Sequence, residues 1–130
     1  MKSLAGLAMA AIALGACSTS LGPTVEAGYP TGSLAVAAIE RADWATAERL
    51  LTDDRSIDRE NPARLINLGR VYAATGRTNE AVTLWQRALA APVHVEVQTA
   101  DGRIARTDQI AREAIALYGG DLQTAAVTSH

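Results

Sequence analysis

A chain of 130 residues has room for one small domain, and a net charge of −2, with 14 acidic and 12 basic side chains interspersed, excludes the strongly basic surface that nucleic acid requires. Hydrophobic residues make up 48% of the chain, yet phenylalanine is absent and aromatics reach only 4%. Alanine supplies much of the apolar content; it loses no side-chain entropy in a helix, whereas strands favour branched and aromatic residues, so the composition points to closely packed helices.

The chain opens with Lys2, an uncharged apolar run from Leu4 to Leu14, and small residues leading to Cys17. That order is the three-part form of an export signal. The run is too short to cross a bilayer about 30 Å thick as a helix, which takes roughly 20 apolar residues. Leu14-Gly15-Ala16-Cys17 resembles the bacterial lipobox. The resemblance implies cleavage before Cys17, a diacylglyceryl group on its thiol and an acyl chain on its freed amine, with no other cofactor. One acyl chain holds a protein only marginally at about 0.8 kcal/mol per buried methylene, so several chains give a stable anchor. Cys17 is the sole cysteine, which rules out an internal disulfide. Similarity to proteobacterial lipoproteins that lack aspartate after the cysteine, as here with Ser18, implies an outer-membrane, periplasm-facing location. Residues 1–16 are thus expected as the signal and 17–32, rich in Ser, Thr, Gly and Pro, as a flexible tether.

Beyond the tether, self-comparison aligns Leu34 with Leu68, Ala47 with Ala81 and Leu51 with Trp85, each 34 positions apart. A period of this size signals stacked helix pairs. The first copy, about residues 28–61, has a helix expected over 33–42, Asp43 as a cap, and a second helix from Trp44 to about Thr52 around Ala47, Leu50 and Leu51. Residues 53–60 are charged and read as a solvated linker.

The second copy, residues 62–92, is clearer. Asn61 is a helix cap with Pro62 in the first turn, Gly76 a left-handed stop, and Thr78 the cap of the next helix. Leu65, Leu68, Gly69 and Tyr72 share one helical face; Ala81, Leu84, Trp85, Ala88 and Leu89 share another. Small Gly69 and Ala81 permit close approach while Tyr72 and Trp85 fill the space beside them. This pattern, Leu65-x-x-Leu68-Gly69-x-x-Tyr72 followed by Ala81-x-x-x-Trp85-x-x-Ala88, resembles the tetratricopeptide repeat, with Leu65 where tryptophan is frequent and Trp85 in place of a smaller aromatic. The implied fold is an all-α, short tetratricopeptide-like helix-pair stack over 33–118.

Two pairs leave one apolar face uncovered, so the C-terminal part is expected to cap it. Val93 to Gln98 alternates apolar and polar, and Asp101-Gly102 is a turn signal before Ile104, which predicts a hairpin or extended loop over 93–106. Thr107 then caps a last helix to Tyr118, with Ile110, Ala114 and Leu117 facing inward. Gly119-Gly120 is expected to stop it, leaving 119–130 as a disordered tail.

Little in the chain suggests chemistry. His94 and His130 are its only histidines, so no metal site is expected, and the sequence lacks a phosphate loop or nucleophile elbow. His94, Glu96 and Asp101 could form an acid–base cluster, but alternation places His94 and Glu96 on a solvent face, and no catalytic residue is assigned. What remains is recognition. The resemblance implies a groove lined by the first helix of each pair, here Ile66, Arg70, Ala73 and Ala74 with Val36 and Ile39 extending its floor. Arg70 could bind a carboxylate through its planar fork or serve only as a surface arginine. The expected function is a non-enzymatic adaptor or assembly factor that holds an envelope protein or peptide, such as a pilus, secretion or cell-wall component. A self-associating structural subunit and an envelope hydrolase accessory centred on His94, Glu96 and Asp101 are the alternatives.

Overall fold

The structure is a computed structural model that describes residues 29–30 and 32–127, with side chains described as far as residue 120. The export signal, Cys17 and most of the tether lie outside the described residues, as do residues 128–130. The elements in chain order are α1 (Val36–Glu40), α2 (Trp44–Asp53), α3 (Pro62–Ala74), α4 (Thr78–Leu89), β1 (Glu96–Gln98), β2 (Ile104–Arg106) and α5 (Thr107–Val127).

Helix boundaries follow local chemistry. Asp43 caps α2 by accepting from the Thr46 N–H at 3.2 Å. Asn61 Oδ1 accepts from Ala63 at 3.0 Å and Arg64 at 3.3 Å, satisfying two of the N–H groups that a helix start leaves unpaired, and Pro62 occupies the first turn, where its missing N–H costs nothing. Gly76, at φ +82°, closes α3 with the Arg77 N–H on the Tyr72 carbonyl at 2.8 Å.

Three expected boundaries shift. Helix α1 covers only Val36–Glu40, because the chain from Gly32 to Leu34 is a turn: Ser33 donates from both its N–H and its hydroxyl to the Pro30 carbonyl. Tyr29 also packs against the core, so the domain begins within the stretch expected as tether. Thr78 is the first residue of α4 rather than its cap; Arg77 holds the cap position without a side-chain bond, its guanidinium being engaged elsewhere. Helix α5 runs through Gly119 and Gly120 to Val127. Glycine stops a helix when it turns to positive φ, and neither of these does.

The core is one cluster, with Leu34, Ala47, Leu51, Leu65, Val71, Ala81, Ala88 and Ile110 all almost fully buried. The pairs that the 34-residue offset aligns (Leu34 with Leu68, Ala47 with Ala81, Leu51 with Trp85) are all buried. Helices α3 and α4 form the tightest hairpin, and α5 packs against both as the cover that the second pair needed. Its buried stripe is Ile110, Ala111 and Ala114, joined by partly buried Ile115 and Tyr118. Leu117, expected inside, is 63% exposed: at 100° per residue it falls about a quarter-turn off the centre of that stripe.

The expected hairpin is present. Strands β1 and β2 pair antiparallel with Val97 opposite Ala105, both buried, and Gly102 at φ +82° in the connecting turn. Thr107, fully buried, is the bolt: its N–H donates to the Val95 carbonyl at 3.0 Å and its hydroxyl accepts from the Val95 N–H at 3.3 Å. Arg103 grips Glu113 with two bonds of 3.1 and 2.7 Å, fastening the hairpin to α5. The linker over 53–60, expected to be solvated, is ordered by its own carboxylates and by a buried arginine. Asp54 accepts from the Ser56 N–H and Asp58 from the Glu60 N–H, each at 2.7 Å, while Ile57 is buried.

Candidate protein-docking surface

The α3–α4 hairpin positions Arg70, Ala73 and Ala74, and its closeness depends on Gly69. A Cβ there would lie 2.4 Å from Trp85 Nε1 and 2.8 Å from Cε2, so only a glycine lets the indole lie against the α3 backbone. The indole N–H donates to the Ile66 carbonyl at 3.1 Å, and the ring packs on Tyr118 with centroids 5.1 Å apart and planes tilted by 40°. This contact joins α3, α4 and α5.

Arg70, next to Gly69, is turned to the side of α3 that Tyr118 approaches. It is partly exposed, but its Nε is buried with no hydrogen-bond partner, and it joins no ion pair among the described residues. Burial holds its pKa below the ordinary arginine value, with nearby Tyr118 pulling the other way. Ala73 and Ala74, one turn on, are partly exposed beside it.

The remaining expected groove residues do not join them. Ile66, Ile39 and Val36 are only 1%, 2% and 7% exposed and belong to the core. The turn before α1 lies against α3, where fully buried Asn67 donates from Nδ2 to the Leu34 carbonyl at 2.9 Å. With that segment fastened down, the floor of the expected groove closes and its open part contracts to Arg70, Ala73 and Ala74. His94, Glu96 and Asp101 do not converge. His94 Nδ1 meets the Thr107 hydroxyl at 3.2 Å, exposed Glu96 stands opposite Arg106, and Asp101 accepts from the Thr99 hydroxyl.

On roughly the opposite side of α3 lies a groove that the sequence reading missed. Its floor is only the outer edge of four core side chains, Leu65 and Leu68 of α3 with Leu51 of α2 and Leu84 of α4, which are between 1% and 9% exposed. It continues over Leu68 and Leu84 into a second hollow of about 300 Å³ beside Tyr72, Glu80 and Thr83. The wall at its first end is basic, made by Arg59, Arg64 and Arg87. Arg64 is 5% exposed and donates from Nη1 to the Asp54 and Ile57 carbonyls, both at 3.0 Å. Farther along, Arg77 ties the repeats together: its guanidinium grips Glu48 of α2 at 2.9 and 2.6 Å and lies 3.9 Å over the Tyr72 ring. These arginines were invisible in the sequence because their partners are backbone carbonyls or residues 29 positions away. The one local signal was the crowding of charge in 53–60, which could have suggested an ordered loop.

A hairpin of two helices locked by a glycine and an aromatic ring, preceded by a shorter pair and covered by a further helix, defines a helix-pair repeat scaffold. Residues 65–98, from the first turns of α3 through α4 to β1, match the family model for the tetratricopeptide repeat. No curated protein and no solved structure matched the chain. This segment is thus similar to a tetratricopeptide repeat, a unit whose usual role is to bind other proteins.

Proposed function

We propose that this chain is a non-enzymatic adaptor, held by lipid on Cys17 at the periplasmic face of the outer membrane, which captures an envelope protein or peptide on the Arg70 surface. The observation that carries the binding role is Arg70 itself: a partly buried guanidinium with an orphaned Nε, no acidic partner among the described residues, and two small alanines beside it. Leaving a buried donor unsatisfied costs about 1–3 kcal/mol, and a carboxylate from outside would relieve that cost through a charge-assisted, two-pronged bond. Support for the anchor is the lipobox-like Leu14-Gly15-Ala16-Cys17 behind an apolar run.

A photo-cross-linking residue at Ala74 of the full chain in its native envelope tests the binding role. One or a few discrete adducts that disappear on Arg70→Ala are expected; an adduct pattern unchanged by that substitution overturns it. Labelled palmitate should mark the natural chain and leave Cys17→Ser unlabelled. Equal labelling removes the anchor.

A further inference from the structure

The groove on the other side of α3 is independent of the Arg70 surface. At 100° per residue, Leu65, Leu68 and Tyr72 point away from Arg70 and Ala74 by roughly half a turn. Its shape argues against a small-molecule pocket. It is divided into two open hollows, about 160 Å³ at the basic end and about 300 Å³ beside it, neither of which alone exceeds the lower end of the 300–1,000 Å³ typical of such sites. Two shallow hollows that share Leu68 and Leu84 suit two apolar side chains on one segment, the pattern by which an amphipathic helix lies in a groove.

Charge then sets which segment. Three arginines line the Leu51 end, and among the groups that line it no carboxylate appears. Arg64 donates to neutral carbonyls, which hold its charge in place, and Asp54 and Asp58 offset that charge in part through space without an ion pair to it among the described residues. Arg87 leans on Glu60 at the rim, and Arg59 has no ion pair among the described residues. The nearest loop acids, Asp54 and Asp58, are turned back onto N–H groups of their own loop. At the far end Glu80 enters the lining beside Arg87, which borders both hollows.

We propose that this groove receives an acidic amphipathic helix of a partner protein, with leucine-like side chains seated over Leu68 and Leu84 and a carboxylate beside the Arg59–Arg64–Arg87 wall. Arginine at the wall favours a carboxylate over a mere negative field, since its planar fork matches two oxygens at once.

The test uses the full chain and a fluorescein-labelled 18-residue peptide of leucine, glutamate and alanine, with leucines at helical spacing, followed by anisotropy. Binding is expected to saturate, to weaken roughly tenfold or more in an Arg59→Glu, Arg87→Glu double variant, and to fall with added salt. The same peptide with glutamine for glutamate should bind at least roughly tenfold less well. Both arginines are exposed at the surface, where ion pairs contribute little to folding; an unchanged helical signal and melting point in the double variant establishes that the fold survives. Thr83→Trp, which fills the second hollow from an exposed position, should weaken binding without touching charge. Absence of binding, equal binding by the glutamine peptide, or equal binding by the double variant overturns the proposal. Loss of binding on Arg70→Ala alone also overturns it, by placing the peptide on the other surface. Retained peptide binding in Arg70→Ala leaves this groove standing whatever becomes of the adaptor reading.

Discussion

Replacing Gly69 with alanine inverts the usual effect of that change in a helix. Alanine is favoured over glycine by about 1 kcal/mol within a helix interior, so the substitution would stabilise an unobstructed site. Here the new methyl would fall 2.4, 2.8 and 2.9 Å from three atoms of the Trp85 indole, closer than carbon atoms approach without displacement. Trp85 is only 2% exposed and cannot swing into solvent without dismantling the contact with Tyr118. Overpacking of this kind costs about 1–3 kcal/mol, a buried indole N–H parted from the Ile66 carbonyl about 1–3, and the aromatic pair about 0.5–1.5. These costs overlap, because a single movement of the ring incurs all of them. A net loss of about 1–3 kcal/mol is therefore expected after the helix gain is subtracted. For a domain of this size each 1 kcal/mol is worth about 4–8 °C in melting temperature. The internal control is Gly120→Ala in α5, where an added Cβ meets nothing within 4 Å, and which should gain up to about 1 kcal/mol. Urea unfolding of both variants, followed by helical circular dichroism and tryptophan fluorescence, reads the difference directly. If Gly69→Ala proves as stable as the natural chain, the indole does not lie on the α3 backbone and the hairpin packing described above is wrong.

Three further changes probe separate links. Asn61→Ala should lower stability by about 1 kcal/mol in urea unfolding, since it strips the acceptor from two N–H groups at the start of α3, whereas Asn61→Ser should recover most of it. Ala42 is exposed at φ +56°, so Ala42→Gly should raise stability by about 0.5–1 kcal/mol, and a decrease on calorimetry would deny the left-handed turn between α1 and α2. Acid should unfold the protein through its paired carboxylates. Arg77's hydrogen bonds hold Glu48 below its ordinary 4.5, and Asp43, Asp54, Asp101, Asp108 and Glu113 are lowered as well. Because these pKa values are depressed in the folded state, the stability they contribute is complete above the unfolded values and is lost as pH falls through the folded ones. Unfolding midpoints should hold steady from neutrality to roughly pH 5 and fall below it, with a shallower fall in Glu48→Gln. An equally steep fall in that variant would mean that the Arg77–Glu48 pair is not formed.

Much of the scaffold was legible in order along the chain because it is built from local interactions. Helix caps, glycine stops and the 3.6-residue spacing of Leu65, Leu68 and Tyr72 act over a few residues, and the 34-residue offset repeats one such local unit. Even the hairpin could be read from its alternation and its Asp101-Gly102 turn. Where local rules misled, a neighbour decided. Gly119-Gly120 reads as a stop in isolation but continues as helix, and Leu117 sits outside because the buried stripe follows what α3 and α4 present to α5.

The surfaces belong to tertiary structure alone. Whether Ile66, Val36 and Ile39 face a partner or the core depends on the turn that Asn67 fastens through Leu34, 33 positions earlier, and no periodicity encodes that bond. The basic wall of the second groove gathers Arg59 and Arg64 from the loop and α3 with Arg87 from the next helix, a meeting that exists only once Trp85 has settled on Gly69. Local sequence determined which segments become helices and which of their faces are apolar, since those depend on each residue and its immediate neighbours. Which parts of those faces stay open was decided by the packing of segments distant in the chain, because burial is a property of the neighbour as much as of the residue itself.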